Sequence, residues 1–243
     1  MIELTSPAKL TLSLRITGVR SDGLHTIESE MVTIDFADTL TIEDEGNSVT
    51  YTGNYPITPP EEEDLVLRAL KMVGAEKKVT VIKNIPPGGG LGGGSANAAS
   101  IFRWARFTDE IKAVDLGSDI PFNIRGGHAL VKGIGEEIKN LKYEKRVFTL
   151  LIPPFGCSTA DVYETWDEMG SPKGTNGNDL ELAALKVEPH LWLWRDKLEK
   201  HSGQTPRLAG SGSTWFVEGS YPGEGFIVTQ TTRASTIRST QTQ

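Results

Sequence analysis

The sequence predicts an α+β fold in two domains, residues 1–150 and 151–243. Three observations carry that reading. Alternating apolar residues mark several strands before any helix, a glycine run joins a strand directly to a helix, and Pro153-Pro154 closes a strand past the middle of the chain. No regular βαβ alternation is present.

Leu10, Leu12, Leu14 and Ile16 alternate with Thr11, Ser13 and Arg15, which predicts a half-buried strand entered through Pro7-Ala8-Lys9. Lys9 at its mouth is either a solvated charge or a group facing a site. Asp22-Gly23 marks a turn, and His25 follows it as a binding group or an ordinary loop histidine. Val32, Ile34 and Phe36 predict a second strand, broken at Asp38, with another around Leu40 and Ile42 and a further one at Val49 and Tyr51. Residues 56–60 form a loop. Four carboxylates at 61–64 then precede Leu65, Ala69 and Met72, spaced for an amphipathic helix whose dipole they complement.

The centre of the chain is Pro86-Pro87-Gly88-Gly89-Gly90-Leu91-Gly92-Gly93-Gly94-Ser95-Ala96. A strand over 78–85 precedes it. A helix carrying Ala98, Ala99, Phe102 and Ala105 follows, with Ser95 as its predicted N-cap. Glycine costs about 0.5–1 kcal/mol per residue in regular structure, so such a run needs a reason. Strand, loop and helix N-terminus together present backbone N–H groups suited to phosphate. A flexible linker would not sit tightly between two regular elements. A Walker A loop fails, because Gly94 stands where its lysine belongs. Gly88, Gly90 and Gly93 match a dinucleotide fingerprint formally, but Asp109 lies in a polar run, not at the end of an apolar strand.

Farther on, Asp119 lies in Leu116-Gly117-Ser118-Asp119-Ile120-Pro121-Phe122 and reads by itself as a turn residue. Strands are predicted at 128–131 and 146–152, the second ending the first domain. Ser158 or Thr159 can cap a helix with Val162, Tyr163 and Trp166, and Asn178-Asp179 reads as the cap of another. Leu191, Trp192, Trp194 and Leu198 predict a core-facing stripe. Residues 208–214 form a second glycine turn before a strand at 215–217, and 225–228 is the last strand. The Ser/Thr-rich tail beyond it is expected to be ordered only in part.

A net charge of −7 argues against broad nucleic-acid binding, which needs a concentrated basic surface. No apolar run approaches the roughly 20 residues that span a bilayer. The start Met1-Ile2-Glu3 lacks the basic and apolar parts of a signal peptide, so a cytoplasmic location is expected. Cys157 is the single cysteine, which excludes an internal disulfide and a Cys-rich metal site and reads as a packed residue.

Taken together, Pro7-Ala8-Lys9-Leu10, then Gly18-x-Arg20-x-Asp22-Gly23-x-His25, then the glycine run, resemble the GHMP small-molecule kinases. More narrowly they are similar to the branch acting on a cytidine diphosphate-linked methylerythritol. The resemblance implies the two-domain GHMP fold, with an N-terminal mixed sheet bearing the ATP loop and a C-terminal ferredoxin-like α/β domain. It implies ATP and Mg²⁺, with the metal ligands unknown, and a small-molecule substrate phosphorylated on its 2-hydroxyl. A monomer or weak homodimer is expected. Lys9 and Asp119 become the catalytic pair, Asp119 the base. Residues 86–96 hold ATP, His25 bonds the cytosine edge, and Thr11, Thr159 and Tyr163 line the substrate pocket. The chain departs from the family at Thr11, usually asparagine, and at Leu24, usually a tyrosine that stacks on the base. The segment between the glycine run and Asp119 is also short. Two alternatives therefore stand beside this reading: a GHMP kinase for another small alcohol, and a nucleotide-binding homologue with weak catalysis.

Overall fold

The computed structural model describes residues 1–107 and 109–233. It opens with two long strands, β1 (Ile2–Val19) and β2 (His25–Glu43), paired antiparallel along nearly their whole length. The predicted alternation in β1 holds, and Leu10, Leu12, Leu14 and Ile16 are all buried. Lys9 and Thr11 on the other face are buried too, since β1 is covered on both sides. Register shifts between Pro7 and Lys9, and again between Thr11 and Ser13, bracket the lysine. Bulges of this kind re-aim side chains.

The expected break at Asp38 does not occur; β2 runs straight through it. The Asp38 carboxylate is fully buried, pairs with Lys83, and accepts the N–H groups of Asn84 and Ile85 at 2.7 and 2.8 Å. A buried charge with three donors is satisfied, so the strand need not surface.

Next come β3 (Ser48–Gly53), α1 (Leu65–Met72), β4 (Lys78–Lys83) and α2 (Gly93–Trp104). After them follow α3 (Glu110–Val114), α4 (Ile120–Arg125), β5 (His128–Gly133) and β6 (Glu137–Asn140). The strands form a six-stranded mixed sheet in the order β3-β4-β2-β5-β6, with β1 also on β2. Only β3 and β4 are parallel among these pairs. Val66, Ala69 and Leu70 of α1 pack with Val79, Val81, Ala98, Ile101 and Phe102 over one face. Of the four carboxylates before α1, Asp64 is the cap, accepting from the N–H of Val66 and Leu67. Met72 is exposed and takes no part in that core.

The second sheet is antiparallel, in the order β10-β7-β9-β8, from β7 (Val147–Leu151), β8 (Arg207–Leu208), β9 (Trp215–Glu218) and β10 (Phe226–Gln230). Helices α5 (Thr159–Glu168), α6 (Glu181–Val187) and α7 (Leu191–Ser202) cover it, with Val162, Trp166, Leu180, Leu191, Leu198 and Trp215 in the core. A division after residue 150 would cut β7, whose partners β9 and β10 both lie in the second sheet. We therefore place the domain boundary before Val147. Trp192 is exposed, so the stripe on α7 reduces to Leu191 and Leu198 with Trp194 half-buried. Of the tail, Thr229 and Gln230 lie within β10; residues 234–243 lie outside the described residues.

Asp179 is not a helix cap. Its buried carboxylate receives Arg15 at 2.7 Å, the N–H of Ile16 at 3.0 Å and that of Gly174 at 2.9 Å. Asn178 gives its amide to the carbonyls of Leu208 and Gly210, and its own oxygen accepts the N–H of Leu180. These two residues sew β1 and the second glycine turn to the start of α6. Burial pushes the Cys157 thiol up to about 11, which leaves it a neutral packed group.

Candidate active site

The glycine run closes one wall of a cavity of about 900 Å³ that also meets β1, the start of β2 and α5. Two conformational facts shape that wall. Gly90 sits at φ +73° against the second glycine turn, where any Cβ would overlap the Ala209 carbonyl. Gly92, at φ +67°, is the N-cap of α2, and its side-chain-free edge faces Lys9 and Asp119. Ser95 was expected to cap this helix but lies within its first turn, so its hydroxyl is left to the cavity it lines. With no side-chain cap on α2, the first-turn amides stay open to an anion.

Backbone bonds stitch the loop to the second domain. The Gly88 carbonyl accepts from the N–H of Cys157 and of Ser213, both at 3.0 Å, and the Gly89 carbonyl accepts from Thr214 at 3.2 Å. Leu91 accepts the Lys9 N–H at 3.1 Å, tying the loop to β1. The second glycine turn thus packs directly on the loop.

Lys9 is almost fully enclosed, and its Nζ lies 3.3 Å from Asp119 Oδ2. The same ammonium donates to Thr11 Oγ1 at 3.0 Å. Asp119 is the N-cap of α4 but makes no side-chain cap bond, so its carboxylate faces the lysine and the cavity. On the same cavity His25 lies against Tyr163, ring centroids 4.8 Å apart. Burial, and then the Asp119 charge, push the Tyr163 phenol well above its ordinary range, which keeps it a neutral aromatic surface. Thr159 bonds Ser211 of the second glycine turn at 2.9 Å. Every other predicted site residue therefore lines one cavity, while Leu91 and Ala96 are buried and do not line it.

Sequence reasoning missed Asp167, and it read Asn178 only as a helix cap and Ser211 only as part of the second glycine turn. Each acts by a partner distant in the chain, on His25, the Gly210 carbonyl and Thr159 respectively. No local pattern marks Asp167, or the distant partners of the other two.

The family described as "GHMP kinases N terminal domain" matches residues 64–121. A protein of Polynucleobacter asymbioticus called 4-diphosphocytidyl-2-C-methyl-D-erythritol kinase is 34% identical, over 88% of this chain and 83% of its own. The chain belongs to that kinase family. A Nitrosomonas europaea relative of the same name is 33% identical over 90% of this chain and 87% of its own. Among solved structures, one titled 4-(cytidine 5'-diphospho)-2C-methyl-D-erythritol kinase aligns with a TM-score of 0.73 at 25% identity, covering 95% of this chain and 99% of that one. The Methanococcus jannaschii mevalonate kinase shares the fold, with a TM-score of 0.55 at 12% identity. Membership in the family brings the use of ATP, and no helix among the described residues is long and apolar enough to cross a membrane.

Proposed function

We propose that this chain transfers the γ-phosphoryl group of ATP to the 2-hydroxyl of 4-diphosphocytidyl-2-C-methyl-D-erythritol, a step of non-mevalonate isoprenoid synthesis. The observation that carries this reading is the Lys9–Asp119 pair, set in one cavity between the glycine loop and the His25–Tyr163 cleft. Phosphoryl transfer demands a held triphosphate and an oriented, deprotonated hydroxyl more than covalent chemistry. Within residues 86–96, the glycine amides at the start of α2 supply the first. Asp119 accepts the hydroxyl proton as general base. Lys9, drawn toward Asp119 and Thr11, presents its charge to the attacking oxygen and the incoming γ-phosphate. His25 and Tyr163 hold the cytosine, and Thr11 and Thr159 border the rest of the substrate.

The residues fit a Mg²⁺ that arrives with the triphosphate. Among the described residues no three His, Cys, Asp or Glu side chains cluster, and Mg²⁺ needs only one or two protein oxygens beside phosphate and water. Ser95 Oγ, on the cavity at the start of α2, is the oxygen that would hold it. When bound, the ion neutralises charge on the β- and γ-phosphates. All of these groups come from one chain, so the site is complete in a monomer.

A second reading is favoured by Leu24. It lies exposed on the cavity rim, so the base lacks one aromatic face and another small alcohol could be the acceptor. Against weak catalysis stands the geometry of Asp119, which reaches Lys9 despite the short segment before it. Turnover of ATP with the cytidyl substrate, set against a panel of other alcohols, tests all three readings. Turnover with none of them overturns both kinase readings.

A further inference from the structure

One helix holds His25 on three sides. Its Nε2 lies 3.0 Å from Asp167 Oδ1, its ring is tilted 43° against Tyr163, and Trp166 meets it edge-on at 5.7 Å. All three partners belong to α5. The histidine side chain is 11% exposed and lines the cavity, and among the described residues Nδ1 has no protein partner.

We propose that Asp167 is a positioning residue that sets the tautomer of His25 and so makes the site choose cytosine over uracil. The proposal rests on the cytidyl-substrate reading above. A carboxylate only accepts hydrogen bonds, so the ring nitrogen beside it carries the proton. In the neutral ring Nδ1 is then an acceptor. Cytosine offers that acceptor its exocyclic amine, a donor. Uracil offers a carbonyl oxygen at the same place, and two lone pairs would face each other with Nδ1 left unpaired. Tyr163 and Trp166 act with the carboxylate by blocking the ring rotation that would exchange its two nitrogens. A site that rejects a substrate by an unpaired polar atom discriminates far more steeply than one that rejects by size.

The test compares kcat/KM for the cytidyl substrate and its uridine counterpart, in the wild-type protein and in Asp167→Asn. The wild type should favour cytidine by about 100-fold or more. The variant amide can donate to Nε2 and release the other tautomer, so the preference should fall about tenfold or more, through KM, with kcat nearly unchanged. An equal loss on both substrates, or an unchanged ratio, assigns Asp167 a purely structural role and overturns the proposal while leaving the function intact. Turnover of neither substrate by the wild type overturns both. Nitrogen-15 spectra of His25 in the wild type give an independent readout should the variant fail to fold. They should show Nε2–H, and a proton on Nδ1 refutes the assignment.

Discussion

Gly92 stands directly against the Lys9 side chain: a Cβ added to it would lie 2.9 Å from Lys9 Cγ and 3.4 Å from Asp119 Oδ2. The loop and the charged pair are therefore one packed unit. Gly92→Ala should displace Lys9 and lower kcat/KM about 10- to 100-fold, because misplacing reacting groups is costly. Its left-handed backbone should make the same change cost about 1–2 kcal/mol of stability, read by urea unfolding. Wild-type kinetics in this variant would show that Lys9 needs no such wall.

Asp119 caps no backbone group with its side chain, so its carboxylate is replaceable without loss of a helix end. Asp119→Asn should keep the fold and lower kcat by about 100-fold or more. Steady-state kinetics beside a thermal melt separate the two effects. Near-normal kcat would send the base assignment elsewhere.

Leu24 is 48% exposed on the cavity that Tyr163 also lines. Leu24→Tyr should add a second stacking face, worth about 1–3 kcal/mol per base, and lower KM for the cytidyl substrate about fivefold or more. An unchanged KM would place the base away from Leu24.

Asp179 binds the start of the chain to its second half, and its acidity follows from its surroundings. Burial alone raises its pKa, but the Gly174 N–H, Arg15, the Ile16 N–H and Lys173 outweigh that and hold the carboxyl below its ordinary value. The unfolded group titrates near about 3.9. Its contribution is thus complete above that pH and is lost as pH falls through the lower folded value. Asp179→Asn should remove about 2–4 kcal/mol at neutral pH, since an amide N–H would confront one of the two backbone donors. The penalty should shrink in acid, and pH-dependent urea denaturation measures it. A penalty constant with pH would remove the carboxylate's charge from the account.

Much of the architecture was legible because it is local. The period of two in β1, the glycine run between a strand and a helix, and the capping serine before α5 are all patterns over a few residues. What escaped is non-local. Asp38 looked like a strand break since its partners Lys83, Asn84 and Ile85 lie far along the chain. Asp179 looked like a cap for the same reason. In the site, Lys9 and Asp119 were accessible only as members of separated motifs, whereas Asp167 was not accessible at all, as its single significance is the ring of His25.

The two bonds received by the Gly88 carbonyl have a consequence for the order in which the protein is built. Cys157 and Ser213 are delivered by the ribosome long after the glycine run itself. A nascent chain can pair β1 with β2 and lay down α2 early, but until residue 214 has emerged its phosphate loop has no wall to lean on. The nucleotide site, though spelled out in the first half of the message, is finished by the second.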